Sequence, residues 1–567
     1  MDMHTAFEQE MQRLREWGEE LARAHPEQAR MLSLHDPHDR DPYVERLLEG
    51  VAFLTAGVRQ EVARSAEQLH EELLHTLAPE LAEPWPAATV LALRPPAGYA
   101  APIPLPAGKV VAFARPETSG AGRIPFALPA GGSIEPVHVA RARWEPVSAR
   151  ASRLTLSLRL PHGGRLPAAL PLFADLPPSL GLELRAALIH GLQQAHARCD
   201  EREQDHLVTG LRASPLWWPS PAAESGAPGC DALARLQGFL LAPTLFHFVV
   251  LRGLDQLEAI RTSGEVLLSL DLEWPAPSGA PGSEQLLRAN CFPAFNLQRG
   301  EGAPVALDRE APPYTVRVDG DDGHCVVHRV QGAWARDAAS GRSRSFAPVW
   351  MPAAAADGSD GFRFYRRATG GGEAVMLELG EHLPESGTLS TELRYSQGAL
   401  PRLTLARGDV DAAAEDLPEG VEVANLARPT PFRPALTGRV SAHTLLRLVR
   451  SELPRSVDTE ALRSLLSALG HSDRPISRPV SAALQHLACR TATRARSGVV
   501  ELGLETEVVL DLTRLESRGE ALLLGELIHG LLLEWAPIDR YVAMRLVLEP
   551  DGEVIQWQDE RNRSPTA

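Results

Sequence analysis

Between Pro42 and Pro79 the chain carries no proline, and an apolar residue returns at every third or fourth position through Leu47, Val51, Leu54, Val58, Val62, Ala66, Leu69, Leu73 and Leu77. Spacings of three and four stack side chains on one face of an α-helix. Asp41 is suited to cap such a helix, and Pro42 to open its first turn, where no backbone donor is needed. At 1.5 Å per residue a single helix of this span is about 50 Å long, with Gly57 a weak point at which it could divide. Such length without an internal cap predicts a coiled coil or a bundle strand that meets other helices.

Upstream, Phe7, Met11, Leu14, Trp17 and Leu21 draw a second stripe over residues 5 to 24, which "HPEQ" then breaks. In "DPYVERLLEG" at 41 to 50, Glu45 and Glu49 share a face at i and i+4, whereas Arg46 stands about 100° of helical rotation from Leu47. No acid and base are forced together there. The charged residues read as the rim of a packing surface rather than as a site of chemistry.

After Pro84 and Pro86 the texture changes to short alternating runs, "TVLAL", "KVVAF", "RLTLSLRL" and "EVLLSLDLEW", separated by Pro and Gly turns, and these predict strands. Toward the end, "AHTLLRLVRSEL" and "TEALRSLLSALG" read as helices and "GVVELGLETEVVLDL" as one or two strands. "GEALLLGELIHGLLLEWA" reads as an apolar helix leading into the strand "AMRLVLE". The fold class expected is multidomain α+β: long N-terminal helices able to form a bundle, strand-rich middle domains and a C-terminal α+β domain. The division by texture is 1–83, 84–213, 231–420 and 421–567, with the segments at 214–230 and 351–361 as boundary candidates. Periodicity does not say which strands pair.

Composition excludes several classes of function. The chain has 567 residues and a formal charge of -16, and its one lysine is Lys109. It therefore lacks the general positive field that draws proteins onto phosphate backbones or anionic lipid, and nucleic acid is not expected as a partner. Cys199, Cys230, Cys291, Cys325 and Cys489 are odd in number and far apart, which argues for a reducing cytoplasm over a disulfide framework. The N-terminus is acidic where a secretory signal would be basic, and the most apolar runs, 239–251 and 521–535, are too short or too charged to span a bilayer.

Motifs that would carry chemistry fail on spacing. "HEELLH" at 70 to 75 sets its histidines five apart, so they point away from each other and are expected on an exposed bundle face. "LHDPHDRD" at 34 to 41 gathers His35, Asp36, His38, Asp39 and Asp41, and reads as a polar turn ending in a helix cap. "DGDDGH" at 319 to 324 lacks the third oxygen ligand and the closing glutamate of a calcium loop, which leaves a hairpin turn. No phosphate loop or nucleophile elbow appears, His443 and His529 read as ordinary helix histidines, and Arg366-Arg367 as a solvated strand edge. No catalytic, cofactor or metal residue is assigned.

The order of these segments resembles a known family. "EQEMQRLREWGEELARAHPEQA", "DPYVERLLEGVAFLTA" and "LHEELLHTLAPELAEPWP" are similar to the opening of TssF, the type VI secretion baseplate subunit family also called ImpG or VasA. The likeness continues through "ARLQGFLLAPTLFHFVVLRGLD", "NCFPAFNLQRGEGAPVALD", "ANLARPTPFRPAL" and "GEALLLGELIHGLLLEWAPIDRY", and so covers nearly the whole chain. It departs where a phenylalanine-rich element is here "LAPTL" and where Asp539-Arg540 replaces an Asn-Ser pair.

The resemblance implies a structural, non-enzymatic role without cofactor or metal. It implies pairing, two copies to one, with a TssG-like subunit and a wedge completed by a TssK-like subunit. Such wedges ring a spike hub in the cytoplasm, without membrane insertion. The N-terminal helices would join those of the partners, with Leu14, Trp17, Leu21, Val44, Leu47, Leu48, Val51, Leu54 and Val58 as the interface and Glu45, Arg46 and Glu49 at its rim. The competing readings are a wedge protein of another contractile particle, such as a phage tail, and an enzyme whose active site is assembled from distant segments.

Overall fold

The computed structural model describes residues 3–27, 42–115, 122–199, 205–219, 221, 231–259, 264–277, 286–307, 313–321, 323–349, 361–369, 372–380, 383–384, 386–436, 459–470, 480–496, 499–537 and 539–561. The readings placed on 34–41, on 442–453 with His443, and on Cys230 lie outside them. The fold is mixed α/β and rich in strands.

Helix α1 covers Met3–Ala24 and helix α2 covers Pro42–Leu77, and α2 runs without interruption through Gly57. A glycine in a helix interior costs roughly 1 kcal/mol relative to alanine, too little to break a helix of this length. At its C-terminal end α2 enters the body of the protein, where Leu74, Ala78 and Leu81 are fully buried.

The body is built from sheets that draw strands from distant parts of the chain. In the six-stranded sheet, Ala88–Arg94 pairs antiparallel with Cys291–Phe295 on one side and with Glu422–Asn425 on the other. Its inner face carries Leu91, Leu93, Phe126 and Phe292 into one core. In the five-stranded sheet, Glu265–Leu272 is flanked by Ser152–Arg159 and Leu192–Arg198, and Val266, Leu268, Leu270 and Leu272 alternate into the core. That is the period-two pattern of "EVLLSLDL" expressed as burial. Ser152 pins the sheet margin: its Oγ accepts from Trp144 Nε1 at 2.8 Å and donates to the Trp274 carbonyl at 2.6 Å.

An eight-stranded sheet occupies the middle of the chain, with Val326–Asp337 and Gly387–Ser396 as its longest pair. Near the end, Leu484–Arg496, Val499–Asp511, Tyr541–Glu549 and Glu553–Arg561 form a four-stranded sheet. Val499–Asp511 and Tyr541–Glu549 run parallel, which requires a crossover, and the helix Arg518–Trp535 supplies it. Ser517 caps that helix by accepting from Glu520 N, while the Glu520 carboxylate accepts from Glu516 N. The Ser-x-x-Glu spacing supports this arrangement, with the carboxylate taking the N–H one residue before the cap.

The Arg518–Trp535 helix is apolar on nearly every side because it is buried on nearly every side. Its Glu526 is almost enclosed, bonded by Arg185 at 2.7 Å and His190 at 2.9 Å from the helix Pro178–Gly191. Burial works to raise the Glu526 carboxyl, but the charge of Arg185 and the hydrogen bonds from His190 and Arg185 hold it below its ordinary range.

Candidate partner-binding surface

Helices α1 and α2 lie antiparallel, since Glu10 pairs with Arg59 while Arg15, further along α1, pairs with Glu45, nearer the start of α2, at 3.2 Å. Arg59, Arg15 and Glu45 are partly exposed and Glu10 is mostly covered, and these pairs set register more than they add stability. The contact between the helices closes over Ala6 and Met11 of α1 and over Ala52 and Ala56 of α2, all buried. The two alanines permit close helix approach.

The leucine and valine stripe of α2 lies on the other side. Taking Leu47 as reference and about 100° per residue, Val51, Leu54, Val58 and Val62 fall within about 60° of it, whereas Ala52 and Ala56 fall about 140° and 180° round. Leu47 is 70 % exposed, Leu54 68 % and Val58 66 %. Leu47, Val58 and Leu69 recur every 11 residues, as do Val51, Val62 and Leu73. Eleven residues in three turns is about 3.67 per turn, so the stripe runs nearly along the helix axis instead of winding round it as a heptad seam does.

Of the nine candidate interface residues, Trp17, Leu21, Leu47, Val51, Leu54 and Val58 are exposed, and Leu14, Val44 and Leu48 are partly covered. Tyr43, 82 % exposed, extends the same apolar surface and was not singled out as an interface residue from sequence. It precedes Leu54 by the 11-residue repeat, which is the signal that would have found it, whereas Phe53, 57 % exposed, stands about 120° from Leu47 and off the stripe.

This surface is carried on a rigid seat. The His75 ring lies 4.9 Å from that of Phe364 in the strand Gly361–Thr369, and Glu83, just beyond α2, forms an ion pair with Arg329. Burial above all, with the charges of Arg329 and Arg366, lowers His75 to about 3, so the imidazole is neutral at pH 7. His75 is therefore a buried packing residue and not part of an exposed bundle face.

Two other motif readings meet the structure as follows. Arg366 sits on an interior strand, not an edge, and donates to the carbonyls of Val327 and His328 at 3.0 and 2.7 Å. In "DGDDGH" Asp321 Oδ1 accepts from Gly323 N, His324 N and Cys325 N within 3.0 Å, with Gly320 and Gly323 at positive φ, so this carboxylate oxygen is used by its own turn. Among the described residues, no group of three or more His, Cys, Asp or Glu side chains is placed to hold a metal ion, and no helix is long and apolar enough to cross a membrane.

Comparison with known proteins adds three findings. A family model described as "Type VI secretion system, TssF" matches residues 1–563. The type VI secretion system component TssF1 of Pseudomonas aeruginosa is 25 % identical over 627 aligned residues, spanning 99 % of this chain and 98 % of the relative. Among solved structures, a chain of the TssK-TssF-TssG baseplate subcomplex matches at a TM-score of 0.76 and 21 % identity, covering 92 % of this chain and all of that one. A chain of the baseplate complex from the type VI secretion system matches at 0.62 and 21 %, covering all of both.

Proposed function

The chain belongs to the type VI secretion system TssF family, and from that premise we propose that it is a structural, non-catalytic subunit of the baseplate wedge that assembles with TssG-like and TssK-like subunits. The observation that carries this reading is the exposed stripe of α2, with Leu47, Leu54 and Val58 each about two-thirds exposed or more. An apolar row of this length on a soluble surface marks a protein interface. Each such side chain removed from water contributes about 1.5–3 kcal/mol, and several together can exceed the entropic cost of association.

In this reading the antiparallel α1–α2 pair is one part of a helical core completed by a second copy of this chain and by a TssG-like helix. Glu45 and Glu49 fall on the α1 side of α2, where Glu45 pairs with Arg15, rather than at the rim of the outward stripe. The α2 seat on Phe364 and Arg329 would transmit the position of that core to the strand-rich body, and the wedges together would ring the spike hub in the cytoplasm near the inner membrane. Contraction would be triggered when engagement of the spike shifts wedge interfaces between two packings of similar free energy.

Co-expression of Leu47→Asp, Leu48→Asp chain with TssG-like and TssK-like partners tests the assignment. Burying two carboxylates without partners is prohibitive, so the complex is expected to be lost while the C-terminal domain stays folded. Recovery of the intact complex from the doubly substituted chain would contradict it.

A further inference from the structure

A cleft of about 520 Å³ opens between the six-stranded and five-stranded sheets, and no residue of α2 lines it. Its charged lining is one-signed. Arg94 comes from the end of the strand Ala88–Arg94, His138 from the start of His138–Pro146, Arg159 from the end of Ser152–Arg159, and Arg288 from Leu287–Ala289, and no aspartate or glutamate lines it. In a chain of net charge -16 this is a local inversion of sign.

The positive charge there is only loosely countered at Arg94 and Arg159. Asp175 Oδ2 accepts from Arg288 Nε at 2.8 Å and also from Arg407 at 2.7 Å, so two guanidinium groups share one carboxylate. Arg94 approaches Glu422 only to 3.9 Å and Arg159 approaches Glu265 only to 3.6 Å, both with largely exposed side chains. Such contacts are weak and exchange readily for a better acceptor. The field is felt by His138, which partial burial and then the charges of Arg94, Arg159 and Arg288 hold below its ordinary pKa.

The rest of the lining comes from strand ends and a proline-rich wall. His138–Pro146 and Leu287–Ala289 are the edge strands of their sheets, and their backbones border the cleft. Asn290, at a φ of 55°, locks the two together: its amide donates to the Glu135 carbonyl at 2.9 Å and its Oδ1 accepts from Glu135 N at 2.7 Å. Pro95, Pro96, Pro161 and Tyr99 form a wall that loses little entropy on binding. Arginines at the mouth select carboxylate side chains.

We propose that this cleft is a second docking site on the chain, which takes an extended acidic peptide segment of a partner protein. Arg94 and Arg159 would engage its carboxylates, and Arg288 would supply fixed positive charge. The site is independent of the helical interface and stands if that interface is reassigned.

Titrating the full chain with fluorescein-labelled hexaglutamate, followed by anisotropy, tests this. The Arg94→Ser, Arg159→Ser chain is expected to bind at least about tenfold more weakly than the parent, and Arg94→Lys, Arg159→Lys to stay within about threefold, with hexaglutamine not binding. If the double serine chain proves unfolded by its thermal transition, Arg159→Ser alone is read against the parent in the same way. Equal affinity in the serine chain, or equal binding of hexaglutamine, would overturn the proposal. So would complete displacement of the peptide by an equal concentration of inorganic pyrophosphate, which would make the cleft a site for a free oxyanion.

Discussion

Ala52 and Leu54 stand two residues apart on α2 and face opposite ways: Ala52 has no exposed surface, while Leu54 is 68 % exposed. Within this chain the helix is held by its small side chains, and its large apolar ones are turned outward. That division separates intrachain stability from assembly and makes the two testable apart.

Ala52→Leu forces a larger side chain into the α1–α2 contact and is expected to cost about 1–3 kcal/mol through overpacking. Leu54→Asp changes an exposed position and is expected to alter the stability of the isolated chain by no more than about 0.5 kcal/mol while abolishing binding to the partner subunits. Urea unfolding and co-purification, performed on both chains, check the pair of outcomes. A large stability loss from Leu54→Asp in the isolated chain would mean that the stripe is covered from within.

The Glu83–Arg329 pair holds the base of α2 to the eight-stranded sheet, with side chains 3 % and 10 % exposed. Glu83→Gln leaves a buried guanidinium without its counter-charge and is expected to cost about 3–5 kcal/mol. The joint change Glu83→Leu, Arg329→Met removes both charges and is expected to recover most of that loss. The first unfolding transition in urea is the measurement, because a chain with several cores need not unfold in one step.

His75 is lowered by burial to about 3, and His247 and His529, also mainly by burial, to about 4. Their ordinary value is near 6.5, so the unfolded chain takes up these protons first as pH falls. Stability is therefore expected to decline from about pH 6.5 toward pH 4, by about 1.4 kcal/mol per pH unit for each histidine. His529 stacks on Trp557 at 5.9 Å, so His529→Phe keeps the packing and should flatten the decline by one histidine's share. Unfolding midpoints at pH 7, 6 and 5 decide this, and an unchanged slope would count against it.

Elements set by local periodicity were legible in the sequence. The α2 stripe, the alternation of Val266, Leu268, Leu270 and Leu272, and the apolar run of the Arg518–Trp535 helix all follow from spacing over a few residues. The partners of Ala88–Arg94 were not, because Cys291–Phe295 and Glu422–Asn425 lie hundreds of residues away and no local signal encodes a long-range pair. Of the candidate surface, the apolar stripe was readable but the packing of α1 was not. Ala52 and Ala56 are too weakly hydrophobic to stand out, although their small size is what admits α1. The arginine-lined cleft was invisible for the same reason as the sheets, since its three arginines and its histidine come from four separate strands.

The mass of the complex formed when this chain is co-expressed with the TssG-like and TssK-like subunits of its own genome, taken under native conditions, tests the central claim most directly. The account predicts a stable assembly holding two copies of this chain for each TssG-like subunit, lost on Leu47→Asp, Leu48→Asp. A chain that remains alone beside well-folded partners would contradict it.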